Sequence, residues 1–162
     1  KLSQELGIAQ RSIKGYVFGE HGDSSFIPWS VANISNVPIR DCQKLISTPG
    51  ICTPELDFEE IEQYVRKSGG RVIARKGATF YAVSVSVCHI CKCLLAGIDT
   101  TMTVSTMMHG EYGVDDVCLS TLNMVGNDGV RGKVNVSLTD GEVALLRNSA
   151  EKLKEVIKSL KI

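Results

Sequence analysis

"TTMTVSTMMHGEYGVDDVCLSTLNMVGNDGVRGKVNVSL", residues 100–138, decides which class of fold the chain adopts. Three strand-like stretches lie in it, at 100–108, 117–125 and 133–138, each rich in β-branched and apolar residues. Gly110 and Gly113 punctuate the first gap, and Asn127-Asp128-Gly129 the second. Gaps this short join antiparallel strands, because a parallel neighbour needs a crossover of roughly a dozen residues or more. The spacing therefore predicts an antiparallel sheet. Helical patterns flank it on both sides. Upstream, residues from about Thr79 to Ala96 are apolar on most sides and are expected to be deeply buried. Downstream, Thr139 and Glu142 form a capping box, and Val143, Leu146, Ala150, Leu153, Ile157 and Leu160 line one helical face.

Further upstream, Ile61, Tyr64, Val65, Val72 and Ile73 share a helical face that Ser68-Gly69-Gly70 should kink or loosen. Residues 41–55, with Pro49 and Pro54, read as a surface excursion. "FIPWSVANISNVPI", residues 26–39, reads as an extended segment or hairpin in which Pro28 restricts pairing. Before it, "SIKGYVF" (12–18) predicts a strand that runs into Gly19-Glu20-His21-Gly22-Asp23. The opening "KLSQELGI" spaces Leu2 and Leu6 as a helix does, with Gly7 as a stop. So short a helix does not persist alone, and we read it as the last turns of a longer one, which makes the chain a fragment. Strands, helices, an antiparallel sheet and a closing helix together predict an α+β fold in a single domain, residues 1–162.

Composition narrows the function. Eighteen basic residues balance eighteen acidic ones, so no whole-chain field favours nucleic acid or an acidic membrane. The most apolar run is interrupted by His89 and Lys92, so no spanning segment is expected. Six cysteines, three of them crowded into "CHICKC" (88–93), fit reduced thiols in a cytoplasmic protein better than a disulfide framework. Cys88 and Cys91 share a helical face and Cys93 points elsewhere. We expect small core residues there and no metal. His109, beside Gly110, reads as a turn residue.

The chemistry centres on His21. An imidazole with an unperturbed pKa of about 6.5 serves as acid or base near neutrality. At the end of a buried strand its ring is held while its edge faces a cleft, and flanking glycines let a substrate approach. His21, Asp23 and Ser24 lie too close along one turn to make a hydrolase triad, and no G-x-S-x-G elbow is present. No G-x-G-x-x-G follows a strand, so there is no dinucleotide-binding fingerprint and no Rossmann domain in these residues.

"GEHGDSSFIPWS" (19–30) closely resembles the active-site histidine segment of the L-lactate dehydrogenases. "KGATFYAV" (76–83) is similar to that family's pocket-lining segment, "GEYGVDDVCLS" (110–120) to its late hairpin, and "NSAEKLKEVIKSL" (148–160) to its terminal helix. The resemblance runs along the whole chain and implies the C-terminal, substrate-binding domain, a mixed or antiparallel sheet packed with long helices. It implies that His21 is the catalytic residue, giving a proton to the keto oxygen of pyruvate and taking it back from L-lactate. Thr79 would sit beside the small side chain of the substrate, and Val83 near the nicotinamide of NAD. Lys14 falls where many bacterial relatives carry a histidine for an effector phosphate, and a lysine can meet phosphate as a point charge. The aspartate partner of the histidine, the arginine that binds substrate carboxylate and the NAD-binding domain would all lie upstream. The resemblance thus implies an NAD-dependent, tetrameric, cytoplasmic parent enzyme and an inactive fragment. A malate or branched-chain 2-hydroxy acid dehydrogenase domain is the nearest alternative, and a non-catalytic assembly module the alternative of another class.

Overall fold

A computed structural model of the chain describes residues 1–44 and 54–160. Helix α1 (Leu2–Leu6) stops at Gly7, whose φ of 65° is the left-handed cap expected there. Strand β1 (Ile13–Lys14) pairs antiparallel with β2 (Asn33–Ile34), and β2 with β3 (Val37–Pro38). The tight turn between β2 and β3 puts Ser35 and Asn36 at φ 50° and 69°, the mirror-image turn that matches strand twist. A 3₁₀ stretch, Ile39–Lys44, follows. Most of the expected surface excursion, with Pro49 and Cys52, lies outside the described residues.

The expected strand over 12–18 is shorter than its apolar pattern suggested. After β1 the chain pairs through two isolated bridges, Phe18 opposite Phe26 and Gly19 opposite Ser120. Those two bridges bring the histidine turn onto the larger sheet.

Helix α2 (Phe58–Arg66) starts at Asp57, which accepts the Glu60 N–H at 2.9 Å. The break falls at Lys67, just ahead of the glycines, which occupy the first turn of α3 (Ser68–Lys76). The break re-aims the second half of the predicted face. Ile61 is buried, whereas Tyr64, Val72 and Ile73 are exposed. Tyr64 instead takes the Arg71 guanidinium over its ring, 3.8 Å from the centroid.

Helix α4 (Tyr81–Leu95) forms where expected but carries no fully buried residue; Ile90, Cys93 and Leu94 are half-buried and the rest are exposed. Its apolar character corrects to an exposed surface, with Tyr81 at 79% and Leu95 at 85% exposure. Burial needs a second surface, and within the described residues α4 meets chiefly strand β5 (Asp115–Gly126).

Strands β4 (Thr100–His109), β5 and β6 (Gly129–Lys133) form the antiparallel sheet in that order, with Ser105 opposite Ser120. The third strand comes earlier than its sequence pattern indicated. Val134 still donates its N–H to the Leu122 carbonyl of β5 at 2.9 Å, and beyond it Val136 bonds the Tyr112 hydroxyl, which donates to its carbonyl and accepts its N–H, both at 3.1 Å. Val134, Val136 and Leu138 pack on the core from there.

Helix α5 (Asp140–Ser159) carries the predicted capping box in both directions and buries Leu146 and Ala150. Two apolar cores result. One joins Phe18 and Phe26 to Met108, Val117, Leu119 and Leu146; the other joins Ile27 and Trp29 to Ile34, Ile39 and Ile61. Residues 26–29 therefore feed both cores, and the histidine turn emerges at their seam.

Candidate functional site

The turn at residues 19–25 is closed by the Phe18–Phe26 bridge, whose two backbone hydrogen bonds are 2.9 and 3.1 Å long. Gly19 exchanges backbone bonds with Ser120 of β5 at 3.0 and 2.9 Å. Arg66 of α2 donates to the Ser25 carbonyl from Nε at 3.2 Å and Nη2 at 2.9 Å. On this frame His21, Gly22 and Asp23 are exposed, and among the described residues the His21 ring makes no hydrogen bond or ion pair. An imidazole is thus presented outward from a turn tied to β5 and α2, free to meet a ligand.

The two glycines also make room for neighbouring side chains. Gly19, at φ 95°, faces α5: a Cβ there would come within 2.7 Å of Ser149 Oγ. Gly22 leaves room for the Glu20 carboxylate, 3.0 Å from where its own Cβ would stand. Both serve the fit of the turn.

Lys14 is exposed at the end of β1, and Thr79 is exposed just ahead of α4. Val83 is 52% exposed on α4. No hydrogen bond or ion pair joins these three to His21 or to one another among the described residues. The cysteine cluster corrects as well. Cys88 and Cys91 are exposed and Cys93 is half-buried, 3.7 Å from His89 Nε2, so these are surface thiols, not core residues. The reason is the one that exposes most of α4. Among the described residues no group of three or more histidine, cysteine or acidic side chains is placed to hold a metal. His109 ends β4, and its N–H donates to Glu111 Oε2 at 2.6 Å. That bond, opposed by partial burial and aided by Glu111's own N–H and Lys133, holds the Glu111 carboxyl below its usual range.

Residues 1–161 match the family model of the lactate/malate dehydrogenase alpha/beta C-terminal domain. The chain belongs to the lactate/malate dehydrogenase family. It is 36% identical to an L-lactate dehydrogenase of Acetivibrio thermocellus over 162 residues, covering 99% of this chain and 50% of that protein. It is 39% identical to one from Thermoanaerobacter sp. strain X514, covering 99% of this chain and 51% of that protein. A solved lactate dehydrogenase from a Medee basin deep-sea metagenome library superposes with a TM-score of 0.89 at 30% identity, over 99% of this chain and 50% of that one. The chain spans about half the length of the curated relatives it matches.

Two parts of this lactate/malate dehydrogenase domain escaped the sequence reading. Glu142 not only closes the helix cap but also grips the far end of the histidine segment. Its Oε1 accepts the Ser30 N–H at 2.9 Å, and its Oε2 accepts the Ser30 hydroxyl at 2.5 Å and the Thr139 N–H at 2.8 Å. Ser149, two helical turns on, meets Glu20 and Ser24. The signal was a serine on the apolar face of α5, directly before Ala150 and three residues after Leu146.

Burial works against the charge on Glu142, but the Ser30 and Thr139 donors outweigh it and lower the carboxyl below the ordinary 4.5. A carboxyl lowered on folding gives its stabilisation in full above the unfolded value, and loses it as pH falls through the folded one. Glu142→Gln is therefore expected to cost about 1.5–3 kcal/mol near neutrality. Urea titrations of both forms should show that gap hold down to about pH 4.5 and close at lower pH. A gap that stays constant into acid would show that the carboxylate charge is not what grips Ser30.

Proposed function

We propose that this chain is the substrate half of an NAD-dependent L-lactate dehydrogenase, with His21 as its proton donor and acceptor. The observation that carries the reading is the exposed imidazole on a turn held by β5, α2 and α5. In the direction of reduction, protonated His21 gives its proton to the keto oxygen of pyruvate; in reverse, the neutral ring takes the hydroxyl proton of L-lactate. NAD, when bound, supplies or accepts the hydride at the substrate's C2. From this chain, Val83 offers an apolar side chain to the nicotinamide ring. No phosphate-cradling glycine motif occurs in its sequence, so the cofactor's diphosphate would be held by a nicotinamide-binding half outside these residues. Thr79 would border the methyl group of the substrate, favouring pyruvate over oxaloacetate or branched-chain keto acids. Lys14, exposed on its strand, would be available to an effector phosphate. Thiols at Cys88, Cys91, Cys93 and Cys118, none of them in a disulfide, support a reducing, cytoplasmic setting. Among the described residues no helix is long and apolar enough to cross a membrane.

The test compares the chain alone with the chain joined to the remaining half of the Acetivibrio thermocellus enzyme. Alone, it is expected to oxidise no NADH with pyruvate; joined, it is expected to turn over and to prefer pyruvate to oxaloacetate and 2-ketoisocaproate. Turnover by the isolated chain, or a preference for oxaloacetate, would overturn the respective part of the proposal. The exposed apolar face of α4 favours a second role, self-association of the kind that builds a homo-oligomer. Light scattering on the same chain-alone sample reads it, and a monomer at high concentration would count against it.

A further inference from the structure

We infer that Ser149 is the positioning residue of His21, acting through a closed ring of hydrogen bonds; the inference deepens the proton-transfer reading and rests on it. Glu20 N–H donates to Ser149 Oγ at 2.7 Å. The Ser149 and Ser24 hydroxyl oxygens stand 3.0 Å apart, and Ser24 Oγ stands 2.6 Å from Glu20 Oε1. Each hydroxyl has one proton, and an ionised carboxylate only accepts. Ser24 therefore gives its proton to Glu20, and Ser149 gives its proton to Ser24. The ring begins on the Glu20 backbone and returns to the Glu20 side chain, and Ser24 N–H adds a second bond to the same carboxylate oxygen at 3.1 Å.

Burial makes the ring strong. Ser149 is fully buried and Ser24 nearly so, so water scarcely competes, and hydrogen bonds in series reinforce one another. The hydroxyl is also specific to the turn. A helical serine commonly bonds back to the carbonyl four residues earlier, as Ser84 does to Phe80 and Ser86 to Ala82. Ser149 spends its hydroxyl on the turn instead, in the room that Gly19 leaves by lacking a Cβ.

His21 follows Glu20 directly. With no partner for its ring among the described residues, the ring is placed by the backbone that carries it and by no side-chain contact. On one side the Ser149 ring fixes the Glu20 peptide. On the other, Ser25 donates to the Gly22 carbonyl from N–H at 3.2 Å and from Oγ at 2.8 Å. Cutting the first tether frees the imidazole to swing, and a misplacement of about 1 Å is enough to cost on the order of 10²-fold in rate.

The experiment begins with ¹⁵N relaxation on the chain. In the parent sequence the His21 amide is expected to be as ordered as those of Phe26 and Ser120. In Ser149→Ala, Glu20 and His21 are expected to lose order while Phe26, Leu119 and Leu146 keep theirs, and Ser149→Thr, which retains a hydroxyl, is expected to restore it. Should Ser149→Ala fail to fold, Ser24→Ala cuts the same ring from the turn side and is read in the same way. Unchanged order at His21, or loss spread evenly over the core, would overturn the inference. In the joined enzyme Ser149→Ala is expected to lower kcat for pyruvate by about tenfold to a hundredfold, with KM little changed. A parent-like kcat overturns the inference. If the joined parent form shows no activity while Ser149→Ala still loosens His21 locally, the anchoring stands and the proton-transfer reading fails.

Discussion

His21→Asn is expected to lower kcat for pyruvate reduction by about 10²–10⁴-fold in the joined enzyme, with almost no change in stability. The two halves of that expectation come from the same observation. Because the ring is exposed and bonded to nothing among the described residues, its removal leaves no orphaned partner and no cavity, and a substitution of that kind usually stays within about 0.5 kcal/mol. The same exposure is what lets the ring touch a substrate. Asparagine keeps a polar side chain of similar reach but has no titratable proton to give. His89, on the exposed face of α4, and His109, at the end of β4, serve as controls, and their Asn variants are expected to keep full turnover. A variant retaining a tenth or more of kcat would remove His21 from the reaction.

The sequence made most of the fold legible where local signals and tertiary packing agree. The capping box at Thr139 and Glu142, the stop at Gly7 and the antiparallel order of β4, β5 and β6 are local or nearly local, and each is where the residues place it. Helix α4 shows where such reading stops. A segment apolar on all sides signals that something covers it, but it does not say that the cover lies within the same residues. The strand expected over 133–138 keeps to the sheet only at its start, through Lys133 and the Val134 N–H; farther on, Val136 bonds a side chain, the Tyr112 phenol, which no period of two reveals. The site divides in the same way. His21 stood out because glycines and carboxylates crowd around it, whereas the tie to Ser149 spans 129 positions. Only the odd serine on an apolar helical face hinted at it.

Phe18→Ala is expected to destabilise the chain by about 3–5 kcal/mol, against a total of about 5–15 for an ordinary domain. Phe18 is fully buried, with its ring edge-on to Phe26 at 6.3 Å between centroids and 6.2 Å from Tyr16. Its backbone is bonded to Phe26 in both directions, so the strand does not easily collapse into the cavity left by the lost ring. Phe18→Leu keeps most of the volume and is expected to cost less than about 1.5 kcal/mol. The measurement that adds most is urea unfolding followed by the fluorescence of Trp29, the one tryptophan, alongside circular dichroism. Phe18 lies in the first core and Trp29 in the second. Two independently folding cores would leave the Trp29 midpoint where it was. The continuous run from Phe26 to Trp29 ties them, because consecutive residues of one short segment are buried on opposite sides of the seam. Trp29 fluorescence is therefore expected to report the full loss, with the same midpoint as circular dichroism. A Trp29 transition indifferent to Phe18 would mean that the histidine turn hangs from one core alone, and that its rigidity has to come from the α5 contacts.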